Sequence, residues 1–544
     1  MSGASSMPFA LDDGQRRAAA SVARYILVVA GPGSGKTRVL SHRFAHLLQN
    51  GSRPEDLLAI TFTNRAALEM RGRIEALSSV EPRSLEISTF HSFALRLLKK
   101  SGLVFRLVTR IEQKEILKGA GVKDADGALE RISAIKNGAE AMPPDFQGLF
   151  ETYAEGLEKT GGLDLDDLII KAVEAVENGV DPGKAHVLVD EFQDINPAQA
   201  RLVRGLAKDA SIFAIGDPDQ AIYSFRGGSS RAFLDFEKDF PGAEVVRLAK
   251  NYRSGRVIVE ASNALISRNI GRMGDDASAI TDGGEITEVE CRNEAAEASF
   301  IVKEIERLMG GLSSLTVGKD EDARFSDFAV LYRTNRLSES LKEAFEKSSI
   351  PFHIVAHPGP GLSELAAILR STAFEGTLKE TVERALKDLG AGEEITAMAL
   401  NAVGSCEDGA EGLKTLADEL LLLSPPDNLD IKADKVNIMT MHAAKGLEWR
   451  CVFVAGFEDG LVPFKARDGN IDFEEERRLF YVGLTRALSK AYLIHAKERR
   501  AYGEAREAKV SPFLGEIPPE FLKKVTLDKK PALRRPQQKG LFES

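Results

Sequence analysis

Short apolar runs rich in β-branched residues alternate along this chain with amphipathic stretches of helical period. The runs Tyr25–Ala30, Leu57–Thr61, His186–Asp190 and Ser211–Gly216 form one set, and Phe328–Tyr332, Val436–Met441 and Cys451–Gly456 form a second. Nearly continuous apolar runs of this length predict strands buried on both faces, as in parallel sheets covered by helices. Each set is interrupted by a strand-poor, helix-patterned stretch, at 94–165 and at 356–430. The pattern predicts an α/β fold of two similar units, each carrying an inserted helical subdomain. The first unit takes 1–93 and 166–260 around the insertion 94–165. The second takes 261–355 and 431–515 around the shorter insertion 356–430, and 516–544 is expected to be a flexible C-terminal tail.

Composition changes this picture little. At about 150 residues per domain, 544 residues hold three or four units, which fits two α/β units with insertions. The formal net charge is −10, so contact with nucleic acid must come from local basic and aromatic surfaces. Cys291, Cys406 and Cys451 lie far apart with no CxxC pair, and the histidines show no ligand spacing. That argues against structural zinc and a disulfide framework, and for a reducing compartment. The opening MSGASSMPFALDD lacks a basic region followed by an apolar one, and no apolar run nears the ~20 residues of a membrane helix. A cytoplasmic protein without membrane contact is expected. Linkers are expected at Gly274–Gly284, Val317–Arg324, His357–Gly361 and Ser424–Asn428, each rich in glycine, proline or charge.

The segment Ala30-Gly-Pro-Gly-Ser-Gly-Lys-Thr37 follows a predicted strand and opens a predicted helix, Lys36–Gln49. Glycines let backbone N–H groups turn toward an anion, and the helix N-terminus adds a favourable dipole. In such a loop Lys36 reaches the β- and γ-phosphates of ATP and Thr37 ligates Mg²⁺. The bland alternative is a glycine-rich turn with a chance Gly-Lys-Thr, and the strict pattern has glycine where Ala30 stands. His186–Asp194 (HVLVDEFQD) weighs against it, being an apolar strand that ends in adjacent carboxylates. Asp190 at the strand tip suits the Mg²⁺ shell, and Glu191 suits a base that polarises the attacking water. Phe213–Gln220 (FAIGDPDQ) is another buried strand ending in a polar cluster, where Gln220 is placed to sense the γ-phosphate.

These segments resemble, in order, the motif series of the UvrD/Rep-like (PcrA-like) superfamily 1 DNA helicases. The series runs FALDDGQRRA (Phe9–Ala18), AGPGSGKT, TFTNRAALEM (Thr61–Met70), STFHSF (Ser88–Phe93), VDEFQD and GDPDQAIYSFRGG (Gly216–Gly228). It continues with NYRS (Asn251–Ser254), LYRTN (Leu331–Asn335), TMHAAKGLEW (Thr440–Trp449) and EEERRLFYVGLTRA (Glu474–Ala487). Alanine at the first loop position is usual in that family. The resemblance implies two RecA-like P-loop NTPase domains, ATP with Mg²⁺, and ATP-dependent 3′–5′ movement on single-stranded DNA in repair or replication. It carries the adenine-reading role to Gln15, adenine stacking to Tyr252 and ribose contact to Glu448. The phosphate loop becomes Ala30, Gly31, Pro32, Gly33, Ser34, Gly35, Lys36, Thr37 and Arg38. Arg253 and Arg486 become the arginines on the γ-phosphate, with Arg486 expected late on a helix Glu474–Leu488. Transition-state charge spreads over the γ-oxygens, and a guanidinium supplied across a cleft stabilises it.

A translocase must hold bases without reading them, so it needs aromatic platforms beside backbone-binding groups. Phe62, Asn64, His91, Tyr223, Phe225, Arg226 and His442 match the family's DNA-facing positions. Taken singly, Phe62, Phe93 and Phe225 are more often core residues, and Trp449 reads as a packing residue beside Glu448. Position after a strand end of an open α/β sheet favours the ligand-facing reading. The second insertion is short for the family and the first looks trimmed, so translocation is better supported than strong unwinding, with single strands and 3′-tailed duplexes as substrates. Rival readings are the motor subunit of a helicase–nuclease complex and a decayed scaffold. Finally, Gln538, Leu541 and Phe542 close a basic, proline-bearing tail and resemble peptides that dock on sliding clamps.

Overall fold

Six parallel strands form the first sheet, in the order Ile87–Thr89, Leu57–Thr61, His186–Val189, Ser211–Gly216, Tyr25–Ala30, Glu244–Leu248. They belong to a computed structural model that describes residues 11–78, 84–223, 228, 231–310, 323–355, 361–404, 406, 408–423, 433–465, 469, 471–501 and 504–527. Strand YILVVA shows why the sheet is central: every residue after Tyr25 is buried, on alternating faces. Ile26, Val28 and Ala30 pack with Val39, Leu40 and Phe44 of the helix Lys36–Gln49, and with Met70 of the helix Asn64–Leu77. Leu27 and Val29 pack on the other side with Phe93 and Leu97 of Phe90–Lys100 and with Leu168 and Ala172 of Leu165–Glu177. The order sets the strand of Gln220 between the strand of the glycine loop and the strand of Asp190. Three chemistries therefore emerge side by side at one sheet edge.

The second sheet runs Phe352–Ile354, Val436–Thr440, Phe328–Tyr332, Trp449–Val454, Ala487–Ala501, Glu285–Asn293, Leu522–Thr526, all parallel, with Glu504–Glu507 folded back antiparallel on Ala487–Ala501. Ala487–Ala501 is its longest strand, at 15 residues. Near its far end Arg499 donates to Glu458 (2.6 and 2.7 Å) and Glu297 (2.6 Å), a buried brace. Among the described residues no helix is long and apolar enough to cross a membrane.

Each helical insertion has a small core of its own. One gathers Val108, Leu117, Leu129, Ile132, Tyr153 and Leu157, and the other Leu365, Leu369, Val382, Leu386, Leu416 and Leu420. The second insertion leans on the first unit: Asp418 accepts from its own neighbour Arg370 (2.7 Å) and from Lys99 (2.9 Å). Leu421 and Leu422 pack against the first unit's core.

Several borders differ from the sequence expectation. Phe93, Ala94, Leu97 and Leu98 lie in the first unit's core, so the helix through residue 94 belongs to that unit. The helix Arg256–Ile266 buries Ile258, Ala261 and Leu265 in the second unit's core, so the chain changes unit before residue 261. Within the expected linker Gly274–Gly284, Ser278–Thr281 is a strand on Lys250–Gly255. Within the expected tail 516–544, Leu522–Thr526 closes the edge of the second sheet. Its lysines find partners there, Lys523 on Glu285 (2.8 Å) and Lys524 on Glu288 (3.0 Å). Val317–Arg324 lies mostly outside the described residues, as does His357–Gly361, and Ser424–Asn428 lies wholly outside them.

A split nucleotide site as the candidate active site

The glycine loop follows the strand Tyr25–Ala30, with left-handed backbone at Gly33 (φ 67°) and Gly35 (φ 82°). At Gly33 a side chain is excluded twice over, since a Cβ would stand 2.6 Å from Asn251 Oδ1 and 2.7 Å from Arg253 Cβ. Gly35 starts the helix Lys36–Gln49 without a side-chain cap, which leaves its first N–H groups for an anion. Ser34 and Pro32 are buried in the loop and Gly31 accepts from Ser34 Oγ (2.7 Å). Lys36 Nζ donates to the carbonyls of Ala30 (3.0 Å) and Gly31 (3.4 Å). Burial pulls its pKa below the usual lysine range, against the opposing pull of Glu191 and Asp217. Thr37 and Arg38 fill the first turn.

One wall of the site is built from the N-terminal helix. Gln15 is buried, donates to Ser34 O (2.8 Å) and accepts from Asp12 N–H (3.1 Å) in a capping box. Its amide thus ties the glycine loop to the helix Asp13–Ala20. Tyr252 is 41% exposed and donates its hydroxyl to Asp12, the cap of the same helix.

Two strand ends away, Glu191 has φ 48°, the one positive φ of a non-glycine residue among the described residues. Sparsely populated backbone of this kind persists where the surroundings over-determine it, and it clusters at functional sites. Glu191 accepts from Gln193 Nε2 (2.6 Å). Burial pushes its carboxyl up, but the charges of Lys445 and Lys36 outweigh that and hold it below the usual range. The surroundings of Glu191 therefore favour its carboxylate form. Burial pushes Asp190 up to about 7, helped by the charge of Glu191. The Asp190 carboxyl and the Thr37 hydroxyl at the start of the helix Lys36–Gln49 are oxygen donors, the chemistry that Mg²⁺ takes.

The second unit supplies the cations. Arg486 is 2% exposed and donates to Val482 O (2.9 Å), Leu447 O (3.1 Å) and Gln220 Oε1 (3.4 Å). It does not lie on the expected helix Glu474–Leu488. That helix spans Phe473–Leu484 and caps at Thr485, because Ala487 already pairs with Trp449 as the start of a strand. Arg486 sits in the turn between them. Burial first, and then the charge of Arg253, lower its pKa to about 9. Arg253 donates Nη2 to Thr485 O (2.6 Å) and stands 3.7 Å from the exposed Glu448, while its buried Nε has no partner. The charges of Arg253 and Arg486 both act on Lys36. Lys36 and Arg486 are each depressed by neighbouring cations, and Arg253 carries an unsatisfied buried N–H, so the cluster is complementary to a polyanion.

Sequence reasoning missed the residues that join the halves. Asn251 donates to Pro32 O (2.8 Å) and accepts from the N–H groups of Arg253 (2.8 Å) and Ser254 (2.9 Å), and Ser254 donates to Ala487 O (2.7 Å). Lys445 pairs with Asp194 and donates to Gln220 O (2.6 Å). Asp194 and Glu191 raise the Lys445 pKa against its burial. Both residues stand inside quoted motifs, NYRS and TMHAAKGLEW, where a buried polar side chain between named ones was the available signal.

The expected DNA-facing residues fall into two groups. Tyr223 and His442 meet across the units, with Tyr223 Oη donating to His442 O (3.3 Å) and Lys445 Nζ 5.3 Å from the Tyr223 ring centre. Phe62 is half-buried and packs edge-on against Phe90 (6.2 Å), and Asn64 opens the helix Asn64–Leu77. Burial pulls His91 down to about 4, so its ring is neutral. Trp449 is buried in the second core, as a packing residue. Phe225, Arg226, Gln538, Leu541 and Phe542 lie outside the described residues.

Comparison with known proteins agrees with this geometry. The family model for the UvrD/REP helicase N-terminal domain matches residues 11–118 and 107–241, and that for the UvrD-like helicase C-terminal domain matches 246–358 and 393–498. An ATP-dependent DNA helicase PcrA from Leuconostoc citreum is 30% identical over 634 residues, covering 91% of this chain and 83% of that protein. DNA helicase II of Escherichia coli K12 is 30% identical over 657 residues, covering 95% and 88%. PcrA of Bacillus subtilis is 29% identical, covering 91% and 84%. With both units matched by family models and relatives of this identity spanning most of its length, the chain belongs to the UvrD/Rep helicase family.

Proposed function

We propose that this protein is an ATP-driven motor that moves 3′–5′ along single-stranded DNA in the cytoplasm, in repair or replication, and opens 3′-tailed duplexes weakly as an isolated monomer. As a member of its family it is an ATP-hydrolysing enzyme and a DNA helicase. The observation that carries the finer reading is the division of the site. Glycine loop and acids stand on the first unit, Arg253 and Arg486 are held by the second, and Tyr223 and His442 meet at the same seam.

The chemistry follows from those positions. The loop N–H groups and Lys36 hold the β- and γ-phosphates of ATP, and Gln15, Arg38, Tyr252 and Glu448 hold its nucleoside end. Glu191 accepts a hydrogen bond from water and takes its proton as oxygen bonds to the γ-phosphorus and the bond to the ADP oxygen breaks. Arg253 and Arg486 stabilise the charge on the transferring group, and Gln220 links Arg486 to Asp217. Thr37 and Asp190 would hold Mg²⁺, which neutralises phosphate charge when bound. The arginines belong to the second unit, so turnover depends on closure, and closure moves His442 relative to Phe62, Asn64 and His91 of the first unit. That supports a strand passed along an aromatic track. Weak unwinding is supported by the alignment with PcrA, which runs over 634 residues while covering 91% of this 544-residue chain, so that within the aligned span the relative carries segments this one lacks.

The test is ATP hydrolysis with and without single-stranded DNA, followed by displacement of streptavidin from biotinylated oligonucleotide ends. We expect strong stimulation, falling with salt as backbone contacts release counterions, and faster displacement from the 5′ end. Absence of stimulation would sink the reading, and faster 3′ displacement would reverse the polarity. The tail sequence Gln538–Phe542 supports a sliding clamp as partner, through one polar anchor and two adjacent apolar side chains. Loss of clamp binding in Leu541→Ala/Phe542→Ala with ATPase intact is expected, and a wild-type tail peptide without affinity for the clamp would discard the idea.

A further inference from the structure

The segment Asp217–Tyr223, which carries Gln220, is gripped by four cations from beyond the first sheet. Lys445 donates to Gln220 O (2.6 Å), Arg486 to Gln220 Oε1 (3.4 Å) and Arg478 Nε to Ala221 O (2.9 Å). The fourth is Arg272, whose Nε and Nη2 both donate to Asp219 Oδ2 (3.0 and 2.9 Å). Arg272 follows the helix Arg256–Ile266 of the second unit and touches none of the groups assigned to nucleotide or DNA above.

Asp219 is the residue before Gln220, and both are buried. Its N–H donates to Asp217 Oδ1 (3.0 Å), and Asp217 Oδ2 accepts from Gln220 Nε2 (2.7 Å). A continuous chain of bonds thus runs from Arg272 through Asp219, Asp217 and Gln220 to Arg486, with both ends on the second unit and the middle on the first. A second feature points to the same contact. Gly274 approaches so closely that a Cβ there would stand 2.6 Å from Asp219 Oδ2, so only glycine leaves the carboxylate where Arg272 meets it. The other edge of the guanidinium is fixed by Asp276 (3.0 Å), and Arg247 of the first sheet donates to Met273 O (2.7 Å).

We propose that Arg272 is a positioning residue for hydrolysis: through Asp219 it sets where Gln220 stands and makes that segment follow the second unit. Gln220 then reaches the γ-phosphate only when the two units are in register. The pair is mostly buried, with side-chain exposures of 15% and 6%, so solvent neither screens it nor replaces it. The inference rests on the assignment of Gln220 under Proposed function.

The experiment uses the full chain with Arg272→Ala, Arg272→Lys and Gly274→Ala, measuring ATP kcat and KM with and without single-stranded DNA, and fluorescent-ADP affinity. A displaced sensing group costs on the order of a hundredfold in kcat, and we expect that loss for Arg272→Ala with ADP affinity within about twofold of wild type. Arg272→Lys should recover part of kcat. Gly274→Ala removes no charge but pushes the carboxylate away, and should lower kcat in the same sense. A merely structural role would instead lose ADP sites and kcat together, in proportion to unfolded protein, and would overturn the proposal. So would wild-type kcat in folded Arg272→Ala and Gly274→Ala. If Arg272→Ala does not fold, Arg272→Lys and Gly274→Ala carry the test. A wild-type protein that DNA fails to stimulate sinks the motor reading, whereas the basal kcat of the variants still decides the role of Arg272.

Discussion

The two α/β units face each other across the candidate site with opposite chemistry. The first offers bare backbone and acids: a loop whose Gly33 admits no side chain, a strained Glu191, and Asp190 and Asp217, which burial pushes up to about 7 and about 6. The second offers no phosphate loop in this site, but brings Arg253 and Arg486, both pulled below the usual arginine range by burial. Charge across the seam offsets part of that burial cost: Lys445 favours the ionised forms of Glu191 and Asp190, and Glu191 favours the charged forms of Arg253 and Arg486.

Breaking one half at a time sharpens that contrast. The largest effect is expected from the first unit: Lys36→Ala should abolish turnover and weaken nucleotide binding, while Glu191→Gln abolishes turnover and keeps binding, because that carboxylate acts only on the water. Normal turnover by Glu191→Gln would return the base to another residue. From the second unit, Arg486→Ala should lower kcat by about 10³-fold, as for arginines that stabilise the transferring phosphoryl group. Fluorescent-ADP affinity should barely change, since ADP lacks the γ-phosphate. An equal loss in ADP affinity would mean that Arg486 holds the ground state instead.

The smallest effect expected is on stability and belongs to the first unit alone. Burial lowers His91 to about 4, whereas an unfolded histidine titrates near 6.5. The unfolded chain therefore binds more protons between those values, and this contribution to stability is lost as pH falls through that window. Replacing His91 by glutamine should remove about 1–2 kcal/mol of the difference in stability between pH 7 and pH 5. Urea midpoints of wild type and His91→Gln at the two pH values measure it, and equal differences would show that the ring is accessible to protons.

How far the sequence carried these conclusions depended on how each element hides its polar groups. Tyr25–Ala30, Leu57–Thr61, Ser211–Gly216 and Phe328–Tyr332 stand where the apolar runs lie, because a strand buried on both faces has to be apolar throughout. Glu285–Asn293 (EITEVECRN), Leu522–Thr526 (LKKVT) and the end of Ala487–Ala501 gave no such signal. There the charges neutralise one another across strands, Glu285 with Lys523, Glu288 with Lys524 and Glu290 with Lys497 (3.2 Å). A single strand cannot announce pairs that exist only in the sheet. The glycine loop and the acids Asp190 and Glu191 could be located from the sequence because each follows the end of a buried apolar strand. Lys445 on Asp194 and Arg272 on Asp219 could not be, because they depend on how two separately folded units face each other.

The long strand Ala487–Ala501 begins one residue after Arg486 and spans about 50 Å. It is bonded along one side to Trp449–Val454 and along the other to Glu285–Asn293, so it can neither shorten nor buckle without breaking its ladders. Its far end is pinned by Arg499 to Glu297 and Glu458. One unbroken run of paired backbone therefore joins the turn that holds Arg486 to the brace at Arg499, with no loop or hinge between the cleft and that buried ion pair.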